Sequence, residues 1–322
     1  MRSLHQGLPC GRDWGFVMTI MITMKTKSLT ALIPVFAAAA VSLTRAGTPA
    51  PAPGKAPVTT AEDWLSSAIS PVTNPIFFED PAIRSEVRPI YIHHSIDDGF
   101  VTGGGDVNVW ALQFRYAFTD RLALIATKDG YIDIDLDSVG SSNGWADVSL
   151  GLKYALIDDR ANQFILTPGF TFEIPIGDSE VFQGNGDGEL NLFVSAAKGF
   201  GNFHLTGSAG IRLPMDSDEE STIFHFNLMA DYKCHRYFQP FVSMSGITVV
   251  SEGDAMPLNT EGYDLINFGS AYADGETQVV VGAGFRSHLT SSVDFGIAYE
   301  QAVTSPEGLF DDRITADIIW RF

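Results

Sequence analysis

Charged residues recur at one spacing along this chain. Arg115, Asp147, Lys153, Glu173, Arg212, Asp231, Arg286, Asp294, Glu300, Arg313, Asp317 and Arg321 each sit in an extended-looking run, on the polar side of a two-residue alternation. Charges gathered on one side can tune which solutes pass along a polar path. They can equally pair between neighbouring strands and fill the space there. Because both signs are interleaved, pairing is the reading they favour, and Arg286 with Asp294, across the 287–292 turn, is the first pair expected. His93 and Ser95 form a second constellation, an imidazole and a hydroxyl on one side of a strand. Nucleophilic hydrolysis would need a third residue to orient the histidine, and none is evident. Two acidic runs, Asp133, Asp135, Asp137 and then Asp216, Asp218, Glu219, Glu220, offer carboxylates to Ca²⁺ but lack EF-hand spacing. They read as solvated external surface, with divalent ions bridging them to lipopolysaccharide phosphates as a further possibility. No catalytic, cofactor-binding or metal-binding residue is assigned, and the chain does not read as an enzyme.

The elements that carry these residues are strands. From Val87 the sequence repeats about ten alternating residues and then a break. The spans read are 87–96, 106–118, 121–129, 145–156, 163–174, 189–198, 203–213, 222–233, 237–247, 277–286, 293–301 and 313–322. In 145–156, Val148, Leu150, Leu152, Tyr154 and Leu156 face one way and Asp147, Ser149, Gly151 and Lys153 the other. Turns near 119–120, 158–160, 199–201, 234–236 and 289–291 are brief. The intervening connections near 97–105, 130–144, 175–188, 214–221, 248–276 and 302–312 are mostly longer and acidic. Twelve strands with short and long connections in alternation predict an all-β fold, a transmembrane antiparallel β-barrel. Charges then face inward, because each would cost a few kcal/mol at mid-depth in lipid, on the order measured for outer-membrane barrels. The same parity places Ile90, Ile92 and Ile96 on the lipid face and His93 and Ser95 inside. Inward glycines at 151, 169, 210, 282, 284 and 296 leave space for a solute or for the segment before the barrel. Tyr116, Phe118, Tyr154, Phe200, Phe203, Tyr232, Tyr237, Phe238 and Phe322 gather at one set of strand ends, as at a membrane interface.

The ends agree with export. Residues 1–23 read as an upstream extension, and 24–46 as a cleaved N-terminal signal peptide: Met24-Lys-Thr-Lys27, an apolar run from Leu29 to Leu43, then Thr44-Arg-Ala46. Residues 47–86 are a Pro/Ala-rich linker passing into a periplasmic lead-in or plug, and 87–322 the barrel. Cleavage removes Cys10, which leaves one thiol, Cys234, and no intramolecular disulfide, and excludes a Cys-type metal centre. It also takes away five basic residues and one acidic residue, moving the net charge from −19 to −23. Such acidity disfavours nucleic acid as a partner. The last strand ends Ile318-Ile-Trp320-Arg-Phe322, with Ile318, Trp320 and Phe322 on one face. This is the pattern expected of an assembly signal read by the barrel-assembly machinery of a bacterial outer membrane.

Several segments resemble the outer-membrane proteins of the phenol-degradation meta-pathway (MetA) type, relatives of the long-chain fatty-acid transporter superfamily. They are Asn74-Pro-Ile-Phe-Phe-Glu-Asp-Pro81 with Glu86-Val-Arg-Pro-Ile-Tyr91, and Gly144-Trp-Ala-Asp-Val-Ser-Leu-Gly-Leu-Lys-Tyr154. Others are Ile174-Pro-Ile-Gly-Asp178 with Gly184-Asn-Gly-Asp-Gly188, and Arg236-Tyr-Phe-Gln-Pro-Phe241. The resemblance implies passive uptake of small hydrophobic or aromatic solutes in the outer membrane, among its lipid and lipopolysaccharide. The alternative is a structural or surface-interaction barrel with a closed lumen, whose acidic loops are the working part. A likeness in His-x-Ser to outer-membrane phospholipase, another twelve-stranded barrel, is countered by the inward placement just given, since lipid hydrolysis needs an outward face. Deleting Phe322 is expected to cut the yield of membrane-inserted barrel in cell fractions; an undiminished yield would refute the assembly role.

Overall fold

The computed structural model describes residues 63–304 and 309–322; the signal peptide, the upstream extension and the linker lie outside the described residues. A short helix, α1 (Asp63–Ser67), is followed by twelve long antiparallel strands. They are β1 (Glu86–Ile96), β2 (Gly105–Ala117), β3 (Leu122–Lys128 continuing as Tyr131–Leu136) and β4 (Gly140–Trp145 continuing as Val148–Tyr154). Next come β5 (Phe164–Ile174), β6 (Glu189–Phe200), β7 (Phe203–Pro214) and β8 (Thr222–Tyr232). The last are β9 (Gln239–Ser251), β10 (Thr277–His288), β11 (Val293–Ala302) and β12 (Asp312–Arg321). Each strand pairs with its sequence neighbour, and β1 also pairs with β12, so the sheet closes on itself. Closure leaves no open edge, which is what lets a sheet stand in lipid. The outer surface carries Leu112, Leu150, Phe170, Leu192, Leu228 and Ile318, all exposed. Such a surface is stable only against an apolar solvent.

One expected loop is strand. Residues 131–145 form a hairpin that carries β3 and β4 past the rest of the wall. Alternation continues there, with Ile132, Ile134 and Leu136 turned inward and buried, but the intervening Asp133 and Asp135 gave the stretch the look of a loop. Asp133, Asp135 and Asp137 therefore belong to this hairpin and its tip. The strand irregularity begins with a register slip between Ala126 and Lys128 and passes through Gly130, at φ +122°. A Cβ at Gly130 would lie 2.5 Å from the Trp110 carbonyl oxygen, so only glycine fits.

Residues before β1 fill the lumen from the short-turn end. Trp64, Ile69, Val72, Phe77 and Phe78 are buried within the barrel, and the wall holds this plug by its charged groups. Arg88 donates to Asp317 at 2.8 Å and to the Pro71 carbonyl at 2.7 Å. Arg286 reaches both Asp317 oxygens, at 2.8 and 3.0 Å, and the Ser70 carbonyl at 3.1 Å. Glu79, on the plug, accepts two bonds from Arg115, at 2.9 and 2.6 Å, and one from Lys153 at 2.7 Å. Asn74 donates to Asn227 and Gln239 donates to the Ser67 carbonyl.

The inward glycines are used by this packing. A Cβ at Gly296 would lie 2.6 Å from Asp317 Oδ1 and 2.9 Å from Val72, and one at Gly282 would lie 2.9 Å from Thr73. At Gly169, Gly210 and Gly284 the space is taken by the rings of Phe193, His225 and Phe241. Gly296 also explains why Arg286 does not pair with Asp294. In register Arg286 faces Gly296, and across that gap the guanidinium reaches Asp317 on β12. Asp294 instead pairs with His288 and with Arg321, each at 2.7 Å.

Removing one partner of a buried charge pair leaves the other unpaired in a dry site. Asp317→Ala strands two guanidiniums and is expected to lower stability by about 3–5 kcal/mol. Arg321→Ala, at a partly exposed site, is expected to cost about 1 kcal/mol or less. Urea unfolding in detergent measures both, and equal losses would show that Asp317 does not anchor the plug.

Candidate functional site

One side of the outer half of the lumen is apolar. On β1 the inward parity starts with Glu86 and Arg88 and continues through Ile90, Ile92, His94 and Ile96, all buried. With Val107 and Val109 of β2 and Ile132, Ile134 and Leu136 of β3 they make an apolar wall inside the barrel. This reverses the expected parity of β1. Ile90, Ile92 and Ile96 face the lumen, while Tyr91, His93 and Ser95 face out. Both faces of that strand carry apolar side chains, so hydrophobicity alone does not choose. The signal that does is charge: Glu86 and Arg88 share their parity with the isoleucines, and neither can face lipid.

The long β9–β10 connection, residues 252–276, folds inward and covers this wall. Its Leu265, Ile266 and Phe268 join the apolar cluster, with Phe182 packed edge-on against Phe268 at a centroid distance of 5.6 Å. Polar groups fix this cap at its sides. Asp264 accepts from Arg313 at 2.7 Å, and Arg313 also holds Glu300. Asn267 donates to Glu189 at 2.6 Å. The Glu261 carboxylate is satisfied by Ser221 Oγ and by the amides of Phe268 and Ser270. Between plug, wall and cap lies a cavity of about 20 Å³, lined by Ile76, Ile90, Ile92, Val109, Ala111 and Leu265. Another of about 10 Å³ lies beside Phe77, Glu173, Glu189 and Arg212. Each has room for no more than a water. In this conformation the lumen is filled from both ends.

The charged residues singled out from the sequence are all inside. Arg115 and Lys153 meet on Glu79 of the plug. Glu173 pairs with Lys128 at 2.5 Å and lies 3.4 Å from Arg212, which also contacts Glu189. Asp147 accepts from the amides of Gly177 and Gly184. Asp231 bonds His204 at 2.8 Å, and Glu300 pairs with Arg313. Arg286 and Asp317 form the anchor described above, and Asp294 closes the ring near the chain end. Sequence reading missed Glu79, Arg88, Lys128, Glu189 and Asp264, which complete these pairs. Lys128 sits beyond the register slip, and Glu79 and Asp264 come from segments without alternation, where parity gives no guidance.

Two arrangements resemble hydrolase parts. The outward turn of β1 overturns the expected inward placement of His93 and Ser95. Asn108 Oδ1, 3.1 Å from His93 Nδ1, is a third residue that the sequence did not make evident; Ser95, however, is bonded to Asp312. Inside the barrel, Ser67, His204 and Asp231 form a chain at 3.1 and 2.8 Å. There the Ser67 hydroxyl donates to the Trp64 carbonyl and all three residues are buried, so the chain secures α1 to the wall.

Aromatics mark the short-turn end. Tyr116, Phe118, Tyr154, Phe200, Tyr232, Tyr237 and Phe238 are exposed, and Phe322 stacks on Phe114 at 6.4 Å. Ile318 and Trp320 lie on the same outward face of β12.

No protein-family model matches the chain, and no curated protein matches it in sequence. Its fold is similar to the COG4313 outer membrane channel of Pseudomonas putida F1, with 15% identity and a TM-score of 0.56, over 79% of this chain and 100% of that one. More distant are the NanC porin (9% identity, TM-score 0.45, 74% and 99% covered) and outer membrane phospholipase A of Escherichia coli (11%, TM-score 0.38, 78% and 97%). A closed twelve-stranded barrel with an apolar exterior, an aromatic rim and its charges buried inside has only one fitting solvent. The chain is a bacterial outer-membrane β-barrel.

Proposed function

We propose that this barrel is a gated channel for small hydrophobic or aromatic solutes, of the kind that the resemblance to MetA-type outer-membrane proteins implies. The observation that carries the reading is the apolar wall beneath the cap. Lumens of aqueous porins are polar; a wall of Ile, Val and Leu inside the lumen binds what water rejects. Exposing Leu265, Ile266 and Phe268 to water would cost roughly 1.5–3 kcal/mol each. A hydrophobic solute that takes their place keeps the wall dry and offsets part of that cost. A sugar or an ion cannot, so the cap discriminates by chemistry as well as by size. Under this reading the paired charges lower in the lumen, from Arg115 to Asp317, line the onward path once the plug yields.

A second reading has support in the filled lumen: a closed barrel that serves the surface through its acidic loops, Asp216, Asp218 and Glu219 among them. Reconstitution separates the two. Liposomes holding the folded barrel are expected to take up aromatic and short aliphatic compounds faster than empty liposomes, with no comparable gain for sugars. Ile134→Asp, which puts a carboxylate on the wall, is expected to reduce that uptake about tenfold or more, the scale of one buried charge left without a partner. Uptake equal to empty liposomes, with the barrel shown to be folded, would leave the closed-barrel reading standing.

A further inference from the structure

The cap is tied to a second external loop, residues 215–221. The Asp254 amide donates to the Asp218 carbonyl at 2.8 Å, and Gly253 donates to Ser221 Oγ at 3.1 Å. Asn267 exchanges bonds with the Ser221 backbone in both directions, each at 2.9 Å. Beside this joint, Glu220 turns into the barrel. It is 5% exposed, and its Oε2 has no hydrogen-bond partner. That oxygen rests on Gly186, where even a methyl group would come within 2.7 Å.

The charges around it do not balance. Arg212 of β7 and Lys128 of β3 face it, as do Glu173 of β5, Glu189 of β6 and Asp147 between the halves of β4. Glu261 lies on the cap side of the joint, and the half-buried Asp216 and the exposed Asp218 and Glu219 lie on the same loop as Glu220. Glu189 and Glu173 already occupy the guanidinium, and Glu173 takes the ammonium. Asp147 is held by backbone amides. A further carboxylate has no cation left to meet, so Glu220 fits this site as the neutral acid.

We propose that Glu220 is a proton-operated latch: neutral Glu220 keeps the 215–221 loop and the cap seated, and its ionisation drives both outward. The latch rests on the reading of the cap as the gate. Burial pushes the Glu220 carboxyl up, from 4.5 to about 7, with Glu173 and Asp147 adding to the rise while Arg212 and Lys128 oppose it. Once the loop swings into water the group returns toward 4.5. The closed form therefore holds the proton more tightly, and closure is strongest at or below pH 4.5. It weakens as pH rises to about 7 and changes no further above that through this group. Across the window the closed-to-open ratio falls by up to about 300-fold.

Hydrogen exchange of the amides in residues 252–276, corrected for the intrinsic pH dependence of exchange, reads the latch in the intact barrel. The wild type is expected to lose cap protection by up to about 300-fold between pH 4.5 and 7, and Glu220→Gln to stay protected throughout. Glu220→Ala serves as a second variant, expected to be equally flat, with gel mobility of unheated samples reporting the fold. A flat wild-type profile, or a pH dependence that survives in both variants, would overturn the proposal. Exchange reports the cap whatever the solute. Switching protection without solute uptake would sink the channel reading alone, and uptake with flat protection would sink the latch alone.

Discussion

A charge sealed inside the lumen must meet an opposite charge or a carbonyl, and this constraint organises the molecule. Arg88, Arg286, Arg115 and Lys153 are almost wholly buried, and the wall alone does not satisfy them. Asp317 answers two of the guanidiniums, yet each of those still needs an acceptor, which the plug supplies from the Pro71 and Ser70 carbonyls. Arg115 and Lys153 depend on Glu79 of the plug itself. Plug and barrel are therefore one polar unit. Withdrawing the plug intact would leave several cations unmet in a dry space, a cost of several kcal/mol for each.

The two occupants of the lumen are held by different physics. Ion pairs and carbonyl contacts seat the plug, whereas the cap lies on an apolar wall with polar ties at its margins. Apolar contacts are non-directional, and a solute of matching character can replace them without leaving a donor or acceptor stranded. Under the proposed gating the cap is the side that yields first, and the order of events runs from the external loops inward. Its weak point is the joint with the 215–221 loop, where the number of carboxylates exceeds the cations present.

Much of this was legible in the residues. Strand number, the alternation of short and long connections, the inward charges and the aromatic rim all follow from a two-residue period and from the cost of charge in lipid. What period could not give was parity on β1, where Ile90 and Ile92 compete with Tyr91 for the apolar side, and where Arg88 held the answer. Nor could it give partners that arise from register: Gly296 opens the path from Arg286 to Asp317, a relation across three strands. The hairpin of 131–145 was obscured by its aspartates, and the cap by the absence of any period in residues 252–276. Segments that fold back into the lumen obey packing against the finished barrel, which local sequence does not encode.

The central claim is that solute passes only when the cap leaves its apolar wall. It is tested most directly by tethering the cap in place. With Cys234 replaced by serine, cysteines at Leu265 and Ala111, two residues on one cavity, can be joined by a short reducible cross-linker. Uptake of an aromatic solute by reconstituted barrels should stop on cross-linking and return on reduction. Uptake that continues unchanged through a fully cross-linked sample would contradict the account.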